Sequence, residues 1–84
     1  MGQYKNTFTT NAFQPDEASG KYKMTLTADT LNLGGGFNIR LSKLFRSYGG
    51  HYENVIESYE VDTGGNMYIY SDQPFSGKIV VTSE

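Results

Sequence analysis

No cysteine occurs in the 84 residues. A disulfide framework and a thiolate zinc site are therefore both excluded. No apolar run approaches the roughly 20 residues that a membrane-spanning helix needs, so no membrane span is expected. The opening residues MGQYKNTF lack the apolar core of a secretory signal. Gly2 invites an acylation reading, but Thr7 stands one place beyond the Ser or Thr of that motif. Basic residues are few: seven Lys and Arg against nine Asp and Glu, a net charge of −2. They form no block, so the electrostatic footprint of nucleic-acid binding is absent and no nucleic-acid partner is expected. No repeat, low-complexity segment or linker divides the chain, which reads as one β domain over residues 1–84. A chain of this length buries only about 60% of its unfolded surface, so modest stability is expected unless partners add to it.

Aromatics and glycine are plentiful, with seven Tyr, five Phe and ten Gly. Tyr, Phe and Thr favour pleated, half-buried surfaces, and Gly supplies the turns between them. Residues 66–81, NMYIYSDQPFSGKIVV, organise the rest: two apolar runs flank a turn-rich middle, which predicts a hairpin with Phe75 plugging its corner. Residues 4–9 alternate and predict a first, edge strand. Residues 14–20 predict a loop, with Pro15 fixing φ, Gly20 free to take φ > 0, and room for a short helical turn at Pro15. Residues 21–28, KYKMTLTA, are the clearest strand: Tyr22, Met24, Leu26 and Ala28 share one face, Lys21, Lys23, Thr25 and Thr27 the other. That alternation implies an antiparallel sheet with one face on the core and one in water. Residues 29–36 connect, with Leu31 and Leu33 turned inward. In residues 37–41, Phe37, Ile39 and Leu41 point in and Asn38 and Arg40 out. Leu44 and Phe45 stand side by side, so the strand ends or bulges near residues 42–44.

Residues 51–61 fit two patterns. Tyr52, Val55, Ile56 and Tyr59 have helical spacing, whereas the β-branched and Tyr content, with the turn Asp62-Thr63-Gly64-Gly65-Asn66 behind it, favours a strand, which is the reading adopted. The fold expected is all-β, a small antiparallel β-sandwich or partly closed barrel of six to seven strands. The expected core is Met24, Leu26, Phe37, Ile39, Leu41, Met67, Ile69, Phe75, Ile79 and Val81, which share a period-two phase within each strand.

No catalytic, cofactor-binding or metal-binding motif stands out. His51 beside Gly49-Gly50 has Glu53 and Glu57 near in sequence but no triad arrangement. Glu53, Glu57, Glu60 and Asp62 form an acidic group, and the 62–66 turn lacks the ordered oxygen series of a calcium loop, so no Ca²⁺ requirement is expected. Gly34-Gly35-Gly36 lacks the Lys-Ser/Thr of a phosphate loop and precedes a strand. The candidate interaction surface is Tyr68, Tyr70, Tyr48, Tyr52 and Tyr59. If Met67 and Ile69 face the core, Tyr68 and Tyr70 face out, where a large ring with a polar tip suits a contact. A covering second sheet or N-terminal strand is the alternative account of the same rings.

The segments Leu26-Thr27-Ala28 with Leu31-Asn32-Leu33, Phe37-Asn38-Ile39-Arg40-Leu41, Gly65-Asn66-Met67-Tyr68-Ile69 and Pro74-Phe75-Ser76-Gly77-Lys78-Ile79-Val80-Val81 follow one pattern. It resembles the small β domains of bacteriophage tail, fibre and other virion structural proteins, over roughly the last sixty residues; the hairpin of residues 43–52 and the first twenty residues depart from it. The resemblance implies a β-sandwich without enzymatic activity, made in the bacterial cytoplasm for a virion. It would work as a structural or attachment module through contacts with other virion proteins or with itself, as a homo-oligomer. A carbohydrate-binding module with a tyrosine platform, or a small phage-encoded inhibitor of a host protein, are the alternatives.

Overall fold

The computed structural model describes residues 4–10, 13–32 and 38–83, the side chain of Tyr48 excepted. Eight strands form two antiparallel four-stranded sheets: β1 (Lys5–Thr10), β2 (Gln14–Asp16), β3 (Lys21–Leu26), β4 (Ile39–Tyr48), β5 (His51–Asn54), β6 (Ser58–Val61), β7 (Met67–Ser71) and β8 (Gly77–Ser83). The first sheet runs β1-β8-β4-β5 and the second β2-β3-β7-β6. This is a small all-β sandwich. The chain makes hairpins β2–β3, β4–β5 and β6–β7 and crosses to the other sheet between them, while β1 and β8 pair with each other.

The sheets hold because alternation puts one apolar row of each strand between them. Ile39, Leu41, Leu44, Ile79 and Val81 of the first sheet meet Met24, Leu26, Met67 and Ile69 of the second, and all nine are buried. Each such side chain contributes about 1.5–3 kcal/mol of burial. Phe13 and Leu31, outside the strands, close the ends of this core.

Four features depart from the expectations. Among the described residues strands number eight, where six to seven were expected. One reason is that Gln14–Asp16 is a short edge strand rather than loop; Pro15 is tolerated there because an edge strand can spare an N–H. The other is that residues 51–61 split into β5 and β6, which belong to different sheets; the Val55 N–H donates to the Leu44 carbonyl at 2.7 Å where the chain crosses.

Second, residues 66–81 are not a hairpin. β7 pairs with β3 and β6, and β8 with β1 and β4, so neither has a free edge for the other. The turn-rich middle carries the chain between sheets, and the Thr10 hydroxyl donates to the Phe75 carbonyl there.

Third, β3 stops at Leu26, and Ala28–Leu31 forms one helical turn, α1. The Thr27 hydroxyl accepts from the Thr30 N–H, and Asn32 ends the turn in the left-handed region at φ 56°. Leu31 is thereby delivered to the core, as its inward placement anticipated.

Fourth, Phe75 is only half-buried; it packs on the rim of the core with its ring 4.9 Å from that of Phe13. Phe37, Leu33 and Gly34-Gly35-Gly36 lie outside the described residues.

The bulge expected near residues 42–44 is present: Leu41 pairs with Val81 and Lys43 with Val80, leaving Ser42 as the extra residue. It shifts the phase of β4 by one, so that Leu41 and Leu44, three apart, both point inward, and Phe45 points out.

Candidate functional site

The outer face of the second sheet carries the tyrosine pair. On β7 the buried set is Met67, Ile69 and Ser71, so Tyr68 and Tyr70 project outward and are half-buried among their neighbours. Each hydroxyl is held by a carboxylate: Tyr68 donates to Asp62 Oδ2 at 2.8 Å, and Tyr70 to Glu60 Oε1 at 3.1 Å. Donation to Asp62 raises the pKa of Tyr68, and burial followed by the neighbouring Glu60 raises that of Tyr70. Lys23 Nζ lies 5.4 Å from the centre of the Tyr68 ring. Lys23 also pairs with Asp16 at 3.5 Å, and Lys21 pairs with Glu57 at 3.3 Å and Asp72 at 3.6 Å. The face therefore holds two lysines against four carboxylates, Asp16, Glu60, Asp62 and Asp72, with Glu57 at its rim.

Asp62 is the polar keystone of this face. Its Oδ1 accepts from the Gly64 and Asn66 N–H groups at 2.9 and 3.0 Å, and its Oδ2 from Asn66 Nδ2 at 3.1 Å as well as from Tyr68. These donors, led by the Asn66 N–H, lower its pKa to about 2. Both oxygens are taken up in closing the β6–β7 turn, which is what the residues 62–66 do.

The outer face of the first sheet has the opposite charge. Lys5, Arg40, Lys43 and Lys78 are exposed on it, each in the phase opposite to the buried residues of its strand. Among the described residues, its strands place no carboxylate on this side; Glu53 of β5 faces the other way, pairing across the strands with Arg46, with which it forms an ion pair. Phe45 and Tyr52 stand among the cations. Their rings are 6.5 Å apart, edge to face, with Lys43 Nζ 5.7 Å from the Phe45 ring and Lys78 Nζ 5.3 Å from that of Tyr52. Tyr52 is the most exposed large apolar side chain described, at 54%.

The five tyrosines singled out in the sequence thus do not share one surface. Tyr68 and Tyr70 lie on one outer face and Tyr52 on the other. Tyr59 pairs with Ile69 and packs against the core. Tyr48 ends β4, and its side chain lies outside the described residues. His51 is exposed at the β4–β5 turn. Among the described residues no three His, Cys, Asp or Glu side chains cluster as metal ligands would, and no helix is long and apolar enough to cross a membrane. A cleft of about 300 Å³ opens at the β7–β8 crossing between Arg46, Glu57 and Phe75. The cationic face was missed in the sequence because its residues lie far apart there. The only signal was their phase within each strand, and strand order had to bring them together. In comparisons with known proteins, no family model matches this chain, and neither does any curated protein or solved structure.

Proposed function

We propose that this chain is a non-enzymatic structural or attachment module of a phage or prophage virion, made in the bacterial cytoplasm and acting through protein–protein contacts. The observation that carries the reading is the outward pair Tyr68 and Tyr70, whose hydroxyls are held in place by Asp62 and Glu60. Rings locked in this way lose little conformational entropy on binding and suit the centre of a protein contact. The motif resemblance over residues 21–84 supports a virion setting. Protein is favoured over carbohydrate because Lys23 occupies the face of the Tyr68 ring on which a sugar would stack.

The test is Tyr68→Ser combined with Tyr70→Ser. Both side chains lie outside the core phase, so the fold is expected to survive, as read by circular dichroism. Binding to the other proteins of the source particle is expected to fall by about 30-fold or more, since a hot-spot aromatic is worth about 2 kcal/mol. A folded double variant that binds them as the parent does would overturn the reading.

A further inference from the structure

We infer that the cationic outer face of the first sheet docks on the acidic, tyrosine-bearing outer face of the second sheet of another copy, so that the chain stacks head to tail. This deepens the function proposed above by naming the partner of the tyrosine face.

Charge complementarity argues for it. Four cations stand on one face with no described carboxylate, and four carboxylates outnumber two lysines on the other. The centres of the two faces also match in kind. One has Lys43 and Lys78 around the Phe45 and Tyr52 rings, which are 6.5 Å apart. The other has Glu60 and Asp62 around Tyr68 and Tyr70, two residues apart on one strand and so about 7 Å apart. Lys43 and Lys78 then come opposite the carboxylates that surround the tyrosines. The main extents are 38 × 31 × 17 Å, so each broad face has room for the ~800 Å² per partner of a standard interface. The two docking faces lie on opposite sides of one thin sandwich. A contact of that kind is heterologous and repeats along a line instead of closing as a twofold dimer. With sheets packing about 10 Å apart both within and between copies, the repeat is about 20 Å.

Charge exchange tests this directly. Lys43, Lys78, Glu60 and Asp72 are all exposed, so Lys43→Glu with Lys78→Glu, and separately Glu60→Lys with Asp72→Lys, are expected to remain folded by thermal melting. The milder pair Lys43→Gln with Lys78→Gln serves if a reversal does not fold. In light scattering the parent is expected to grow in mass with concentration and to shrink again in 0.5 M salt. Each variant alone is expected to associate about tenfold or more weakly, and an equimolar mixture of the two reversals to associate again. A parent that stays monomeric at every concentration overturns the inference, as does a mixture that stays apart. So does tight binding of a labelled oligothymidine through Lys43 and Lys78 without self-association, which would give the cationic face to single-stranded nucleic acid. A monomeric parent whose Tyr68 and Tyr70 still capture another virion protein would end head-to-tail stacking and leave the proposed function standing.

Discussion

Asp62 shows how much one side chain organises here. It follows β6, accepts two N–H groups of its own turn, and reaches the Tyr68 hydroxyl on the next strand. Its pKa falls from 3.8 to about 2 because those donors favour the carboxylate. A depressed acid stabilises the fold fully above its unfolded pKa and loses that contribution as pH falls through the folded one. The turn is therefore expected to hold unchanged from neutrality to about pH 4 and to loosen between pH 4 and 2. Following the Asp62 carboxyl carbon by NMR should give a midpoint about 2, and a midpoint near the ordinary 3.8 would show that the turn does not hold this charge. The turn itself was legible, since Asp, two Gly and Asn within five residues spell a reversal. The anchoring of Tyr68 was not, because nothing in the order of residues says which acid an outward hydroxyl will find.

At the scale of the element, β4 and β8 form the spine of the first sheet. Gly49 and Gly50, at φ 56° and 86°, close the β4–β5 hairpin with the two positive φ angles that a tight primed turn requires. Gly77 has a different duty. It begins β8 opposite Arg46, and a Cβ placed there would overlap the Phe45 carbonyl oxygen, a backbone atom that cannot rotate away. Gly77→Ala is expected to push the two strands apart and cost about 1–3 kcal/mol or more, a large share of the stability of so small a domain. Urea unfolding would measure it, and a midpoint equal to the parent's would mean that the strands approach less closely. The Ser42 bulge was visible in advance because Leu44 and Phe45 cannot both be core on a regular strand. The close approach at Gly77 was invisible, because it depends on which strand lies alongside.

Across the whole molecule, the pairings that matter are distant in sequence. β1 pairs with β8, so Phe8 faces Ile79 and Lys5 faces Thr82. β3 pairs with β7, so Met24 faces Ile69. Bringing such segments together costs chain entropy before any contact rewards it, which slows folding. Refolding followed by tyrosine fluorescence in a stopped-flow instrument is expected to take milliseconds to seconds, and a microsecond phase carrying the full amplitude would contradict this topology. The same long-range pairing segregates the charge. Lys5, Arg40, Lys43 and Lys78 come from three strands that only the β1-β8-β4 order makes neighbours.

Within each strand the sequence alone determined which side chains face inward. Met24, Leu26, Ile39, Leu41, Met67, Ile69, Ile79 and Val81 were all legible as core because side chains alternate with period two, a property of the local backbone. The outward direction of Tyr68 and Tyr70 followed from the same phase. Tertiary structure decided which strands pair. Residues 66–81 have the pattern of a hairpin, yet β7 and β8 lie in different sheets, because each finds partners elsewhere that bury its apolar row on both sides. Backbone hydrogen bonds join any two strands equally well, so strand order is settled only when all the apolar rows are packed together. That packing also separates a cationic face from an acidic one in a chain whose net charge is only −2.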